Sequence, residues 1–226
     1  KIIEIKRKGV NEEAAQVRIS GGFLKEWGLI IQEDTLLGYT KLEGSRASEF
    51  GLTGCVTFND IELHSVNLQL GKSNCEDGVH FVRANGNLKN IIVRDARFDG
   101  IDADFSNLVF DSVTIINSGN DCLDVSAGKY AIGIATFNGC KDKGISAGER
   151  SEFEIDSIDI KRSLIGLVSK DGSKMNVNSA VISNAEICLA VYRKKKEFGG
   201  GSIKLGSKIV CNGLPSYIQD RSNISR

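Results

Sequence analysis

Proline, histidine, aromatic residues and long apolar runs are all scarce in this sequence. Its 226 residues include one proline, Pro215, and two histidines, and 7% of them are aromatic. No apolar run reaches the ~18 residues that a membrane-spanning helix needs, so we expect no membrane span. The 29 basic residues balance the 29 acidic residues. This balance argues against a nucleic-acid-binding protein, because such proteins usually carry a basic surplus.

Glycine, in contrast, is abundant, with 25 residues. Glycine at this frequency favours many short strands joined by tight turns over a helical protein. The length suits one domain with a continuous core. The chain opens inside a strand pattern, at KIIEIKRKG, so we expect either a mature form or a fragment of a longer chain.

A repeat of 22 residues runs through the middle of the chain. Glycine or cysteine, followed by an aliphatic residue, recurs at positions 78, 100, 122, 144, 166 and 188. Residues around these positions alternate between apolar and polar, which is typical of strands. A second β-branched segment recurs in each unit, as in LKNIIVRD, LVFDSVTIIN and FEIDSIDIK. Self-similarity at this length, without amphipathic helices, predicts a solenoid of stacked strands.

We therefore predict an all-β fold, a right-handed parallel β-helix with ~22 residues per coil. The β-helix domain is expected to span residues 1–211, with a polar tail or cap at residues 212–226. We interpret residues 38–52 as a loop inserted between two early coils.

The six cysteines are interpreted as buried free thiols that act as small apolar residues. Their spacing contains no CxxC pair and fits no zinc site. Cys122 and Cys188 occupy equivalent positions three coils apart. That separation is ~14 Å, which is too far for a disulfide bond. Free thiols are compatible with a reducing compartment such as the cytoplasm.

Charged residues fall into columns of the repeat. The position before each glycine or cysteine is occupied in turn by Asp77, Asp99, Asp121 and Lys143. An outward column two residues after the same glycine or cysteine holds His80, Asp102 and Asp124. Carboxylates in neighbouring coils lie ~5 Å apart, which raises the pKa of at least one of them. Such clusters share a proton, a cation or a lysine. The alternative interpretation is that these aspartates only satisfy backbone N–H groups at turns.

The phrases RFDGID, GNDCLD, KDKGIS and GLVSK on successive coils resemble the catalytic phrases of polygalacturonases, in the pectin-lyase-like superfamily of parallel β-helices. The match covers roughly residues 75–172. The resemblance implies that Asp99 is a base, Asp121 an acid and Lys170 a substrate-contacting lysine. Three positions depart from the family pattern. Asn120 stands where the family has an acidic residue, Lys143 stands where it has a histidine, and Val168 stands where it has an arginine. Phrases such as CEDGVHF, IDADFS and DKGISAGE also resemble bacterial β-helix repeat domains without an established activity.

Polysaccharide lyases of the same superfamily suggest a second chemistry. A lyase needs a base, often lysine, and a cation that neutralises the substrate carboxylate, often calcium. Lys143 or Lys170 can be that base. A calcium ion can bind the oxygen ligands of the acidic columns. The candidate calcium ligands are Asp99, Asp102, Asp121 and Asp124.

We expect a carbohydrate-active protein that acts on an acidic polysaccharide as a lyase, hydrolase or epimerase. The candidate catalytic residues are Asp99, Asp121, Lys143 and Lys170. The candidate substrate-binding residues are His80, Asp102, Asn120, Asp124 and Lys174. The alternatives are a non-catalytic glycan-binding module of a larger surface or polysaccharide-assembly protein, and a self-associating scaffold. The polysaccharide interpretation predicts a secreted or cell-surface location.

Overall fold

The computed structural model describes residues 1–7, 16–33, 51–219 and 221–226, and these residues form strands without any helix. The strands are β1 Ile2–Arg7, β2 Val17–Ser20, β3 Phe23–Lys25, β4 Gly28–Glu33, β5 Gly54–Asn59, β6 Glu62–Leu70, β7 Asp77–Val82, β8 Asn85–Ala96, β9 Asp99–Asp104, β10 Asn107–Ser118, β11 Leu123–Ser126, β12 Lys129–Gly148, β13 Glu152–Lys170, β14 Lys174–Tyr192, β15 Ser202–Ile218 and β16 Asn223–Ser225.

The strands pair in parallel and stack as a β-solenoid of about 9 turns with about 22 residues per turn. The register confirms the repeat seen in the sequence, because Ile101 pairs with Val79 on one side and with Leu123 on the other. The same column continues through Ile145 and Leu167. The predicted parallel β-helix is therefore confirmed, while its right hand stays a prediction.

The inward positions of the coils form one continuous apolar core. Phe58, Phe81 and Phe110 are fully buried in it. The rings of Phe58 and Phe81 stack with centroids 5.1 Å apart, and Phe110 meets Phe81 edge-on at 6.2 Å. Phe58 and Phe81 occupy paired positions of β5 and β7. Since each inward side chain contacts its equivalents in adjacent coils, apolar residues recur in the inward columns.

One corner of the solenoid is made by residues with a left-handed backbone. Asp95, Asn117, Gly139 and Asn184 recur at nearly the coil period and have φ between 53° and 83°. Glycine, asparagine and aspartate adopt this conformation at the lowest cost. The Asn117 side chain also donates a hydrogen bond to the Asp95 carboxylate at 2.8 Å. The left-handed backbone therefore recurs at the same place of several coils, inside the long strands β8, β10, β12 and β14.

The cysteines are all paired, so the prediction of free thiols is wrong. The bonds are Cys55–Cys75, Cys122–Cys140 and Cys188–Cys211, with sequence separations of 20, 18 and 23 residues. Each bond therefore joins residues about one coil apart in the sequence. Disulfides are typical of oxidising compartments, so the cysteines no longer favour a cytoplasmic location.

Most of the predicted loop, residues 38–50, lies outside the described residues. At the C-terminal end of the solenoid, β15 continues to Ile218, and β16 pairs in parallel with the first residues of β15. In the described ranges, no helix is long and apolar enough to cross a membrane.

Candidate functional site

Charged side chains concentrate on one side of the solenoid. This side is formed by β7, β9 and β11 and by the last residues of β12 and β13. We call this set the acidic face, and it comprises Asp77, His80, Asp99, Asp102, Asp104, Asp121, Asp124, Lys143, Ser146 and Lys170. The parallel register places His80 against Asp102, and Asp102 against Asp124. Charges that are 22 residues apart in the sequence are therefore neighbours on this surface.

Asp99, Asp121 and Lys143 form a hydrogen-bonded ladder along the solenoid axis. The Asp99 carboxylate accepts hydrogen bonds from the backbone N–H of Asp121 and from the side chain of Asn120, both at 2.7 Å. One coil further on, Asp121 Oδ1 accepts the backbone N–H of Lys143 at 3.0 Å and its Nζ at 3.2 Å. The stacking predicted for this column is confirmed, and each carboxylate is fixed by the next coil.

Burial raises the pKa of the carboxyl groups in this ladder. The pKa of Asp121 rises to about 7, because burial outweighs the attraction of Lys143. The pKa of Asp99 rises to about 6, because burial outweighs the hydrogen bonds from Asp121 and Asn120. At neutral pH, Asp99 is therefore mainly ionised while Asp121 is about half protonated. Two neighbouring carboxyl groups thus differ in protonation.

Lys143 is held between two carboxylates. Its Nζ contacts both Asp121 and Asp142. Burial lowers the pKa of Lys143, but the two carboxylates outweigh burial and raise the pKa above its ordinary value. Lys143 therefore stays protonated at neutral pH, which suits a cation that stabilises negative charge and not a general base.

Lys170 lies across three coils of the same surface. It is only 7% exposed. Its Nζ donates a hydrogen bond to Ser146 Oγ at 2.6 Å and lies 3.6 Å from Asp124 Oδ1. The aliphatic part of the side chain passes over Gly148, where a Cβ would approach the Lys170 Cε to 2.8 Å. Gly148 therefore leaves the space that lets Lys170 reach back to Ser146.

His80 is a buried member of the acidic face that contacts Asp102, Asp104 and Thr53. It is 4% exposed. Its Nε2 lies 3.2 Å from Asp104 Oδ2 and 3.9 Å from Asp102 Oδ2. Its Nδ1 lies 2.9 Å from the hydroxyl of Thr53. Burial, followed by repulsion from Asp77 and Asp104, raises the pKa of Asp102 well above its ordinary value.

Asp77 is the most deeply buried carboxyl group beside this network, with 2% of its surface exposed. Burial raises its pKa to about 8, a hydrogen bond from the Thr53 side chain opposes the rise, and repulsion from Asp99 adds to it. Its Oδ2 has no hydrogen-bond partner among the described residues.

The predicted site residues fall into two groups. Every predicted catalytic residue lies on the acidic face, together with His80, Asp102 and Asp124, and Asn120 lies beside it. Lys174 does not lie there, because it begins β14, is exposed, and pairs in register with Glu152 and Ser202, which lie outside the acidic face. Three of the four predicted calcium ligands already have other partners, namely Asp99, Asp121 and Asp124.

Sequence reasoning left five contributors out of the site. Asp77 was placed in the charged column but was not predicted as a site residue, and Asp104 is the last residue of β9. Thr53 and Asp142 carried no recognisable signal, because their roles depend on contacts with His80 and Lys143. Tyr192 pairs with Lys170 in the adjacent coil, and burial raises the pKa of its hydroxyl group.

Comparisons with protein-family models, with curated proteins and with solved structures return no match. The chain is therefore described by its fold, a parallel β-solenoid, and by the chemistry of the acidic face.

Proposed function

We propose that this protein is a carbohydrate-active enzyme that hydrolyses a polysaccharide bound along the acidic face. The observation that carries the proposal is the Asp99–Asp121 pair. One carboxyl group has a pKa of about 7, the other a pKa of about 6, and they occupy neighbouring coils of the acidic face. Glycoside hydrolysis needs one carboxyl group that donates a proton and a second, ionised one. Asp121 is the proton donor and Asp99 the base.

The environment of the two lysines favours hydrolysis over elimination or epimerisation. A lyase or epimerase that uses lysine as its base needs an uncharged amine. Lys143 is held protonated by Asp121 and Asp142, and Lys170 is engaged by Asp124 and Ser146. Both lysines are better suited to neutralising a carboxylate of the substrate.

The charge of the face limits the substrate class. The acidic face contains six aspartates against two lysines. A densely charged polyanion is repelled by this surface. An acidic polysaccharide whose carboxylates are spaced apart fits better, because its uronate groups can lie at Lys143 and Lys170 with uncharged sugars between them. The pectin-lyase-like resemblance supports the same class of substrate by analogy of fold alone.

The first test is an activity screen against acidic and neutral polysaccharides that records both new reducing ends and the absorbance of unsaturated uronates. Hydrolysis produces reducing ends without absorbance. Activity should be highest between pH 6 and 7, where Asp99 is ionised and Asp121 still carries a proton. Asp121→Asn should lower kcat by about 10²-fold or more and remove the decline above pH 7. Asp111→Asn, which changes an exposed acid of β10, should leave kcat unchanged.

Other outcomes separate the alternatives. A rise in absorbance would indicate a lyase, and Asp121 and Asp99 would then not be the acid and base of a hydrolase. Oligosaccharide binding without any product after long incubation would indicate a non-catalytic glycan-binding module. Unchanged kcat in Asp121→Asn would exclude Asp121 as the proton donor.

A further inference from the structure

The cluster of His80, Asp102 and Asp104 is not used by the proposed hydrolysis. One ring nitrogen of His80 and one oxygen from each carboxylate all lie within 4.8 Å of one another. These residues lie on β7 and β9, which are adjacent strands. Among the described residues, His80 is the only ion-pair partner of Asp102 and Asp104. Two carboxylates therefore converge on a single imidazole nitrogen.

The spacing of these atoms is that of ligands around one metal ion. A zinc ion bound at about 2.0–2.1 Å by two ligand atoms in tetrahedral geometry separates those atoms by about 3.3 Å. The distance from His80 Nε2 to Asp104 Oδ2 is 3.2 Å, and the distance to Asp102 Oδ2 is 3.9 Å. Small side-chain rotations bring the second carboxylate into range. Asp102 and Asp104 keep part of their side chains exposed, so an ion can enter from solvent.

The hydrogen bonds of Thr53 orient the imidazole for metal binding. The Thr53 hydroxyl oxygen lies 2.9 Å from His80 Nδ1. A hydroxyl oxygen can accept a hydrogen bond from a ring N–H. When it accepts the Nδ1–H of His80, the lone pair is on Nε2, the ring nitrogen that faces Asp102 and Asp104. Metal-binding histidines are commonly fixed in this way, with the second ring nitrogen donating to a neighbouring oxygen.

Asp77 gives a second and independent indication of a cation. It is 2% exposed, and its Oδ2 has no hydrogen-bond partner among the described residues. Asp77 begins β7, the strand that carries His80. A buried carboxyl oxygen without a partner is costly, and a divalent cation close by compensates for it.

We infer that His80, Asp102 and Asp104 bind one divalent transition-metal ion, with Thr53 as the outer partner of His80. One imidazole and two carboxylates favour ions such as Zn²⁺ or Mn²⁺ over Ca²⁺, which prefers a shell of oxygen atoms. The site differs from the predicted calcium site, since it uses His80 and Asp104 in place of Asp99, Asp121 and Asp124. It does not depend on the proposed hydrolase activity.

The test is calorimetric titration of Zn²⁺, Mn²⁺ and Ca²⁺ into the purified full chain after treatment with a chelator. We expect one Zn²⁺ or Mn²⁺ per chain and much weaker binding of Ca²⁺. His80→Gln and Asp104→Asn should each weaken binding at least tenfold, and Thr53→Val should weaken it by about 10–100-fold. The control is His64→Gln, which changes the exposed histidine of β6 and should leave binding unchanged.

A spectroscopic readout and a folding control complete the test. Co²⁺ bound at the site should produce visible absorption bands that Asp104→Asn abolishes. Asp104 is 31% exposed, so this variant should keep the thermal unfolding midpoint of the wild type even if His80→Gln does not fold. Absence of saturable binding, tighter binding of Ca²⁺, unchanged affinity in Asp104→Asn, or an equal loss in His64→Gln would overturn the inference.

Discussion

Removing the disulfide bond between Cys122 and Cys140 should destabilise the centre of the solenoid strongly. Both residues are buried in the core, and the bond closes a loop in which the partners are 18 residues apart. The variant that tests this expectation is the double substitution Cys122→Ala and Cys140→Ala, which introduces no buried hydroxyl group.

The magnitude follows from the length of the closed loop and from the lost packing. Closing a loop of this length lowers the entropy of the unfolded chain by an amount equivalent to about 3 kcal/mol of stability. Each buried sulfur atom removed costs about 1 kcal/mol more in lost apolar contact. The free energy of unfolding of the double variant should therefore fall by about 5 kcal/mol.

Urea denaturation followed by far-UV circular dichroism measures this change. The control is Ser163→Ala, one coil further on in the Cys140 column, whose buried hydroxyl has no hydrogen-bond partner among the described residues. It should change the free energy of unfolding by less than about 1 kcal/mol.

Thiol titration of the denatured protein checks the pairing directly. No thiol should react before reduction, and all six cysteines should react after it. Six reactive thiols without a reductant, or the same unfolding curve for wild type and double variant, would refute the reasoning.

Three further predictions concern the core, a glycine of β9 and the ladder. Phe81→Ala should lower the unfolding free energy by about 3–5 kcal/mol and Phe81→Leu by about 1 kcal/mol, since Phe81 packs against two other rings; equal losses would contradict this. Gly100→Ala should lower the thermal midpoint, since its Cβ would lie 2.7 Å from the Cys122 carbonyl oxygen, whereas Gly199→Ala meets nothing within 4 Å and should be nearly neutral. The folded state raises the pKa of Asp99 from 3.8 to about 6. Asp99 therefore adds stability below about pH 4 that is lost as pH rises through about 6. Asp99→Asn should flatten this dependence in urea melts at several pH values, and an unchanged slope would contradict it.

The fold could be predicted because each coil repeats the same geometry. A parallel solenoid aligns residues that are one period apart, so the core column from Val79 to Leu167 is visible in the sequence as a recurring aliphatic residue. The same argument placed Asp99, Asp121 and Lys143 in one column. Lys174 begins β14, away from the acidic face, and the repeat alone does not indicate where the chain turns within a coil; its predicted role in substrate binding stays a prediction.

The disulfide bonds could not be predicted by comparing equivalent positions of the repeat. Cys122 and Cys188 occupy the same column, but each is bonded to a cysteine in a different column. The bonded residues are 18 or 23 apart, which is close to one coil but not equal to the 22-residue period. The sequence did contain a signal for the pairing, because Cys122 and Cys188 are each followed by a second cysteine about one coil later, Cys140 and Cys211.

The sequence by itself determined the period, the apolar interior and the surface on which the charges collect, because these properties depend only on which residues recur. The tertiary structure decided which cysteines pair, how deeply each carboxyl group is buried and which atoms meet at His80. Burial and contact depend on the path of the whole coil in three dimensions. They set the raised pKa of Asp121, the protonated state of Lys143 and the convergence of Asp102 and Asp104 on one imidazole nitrogen.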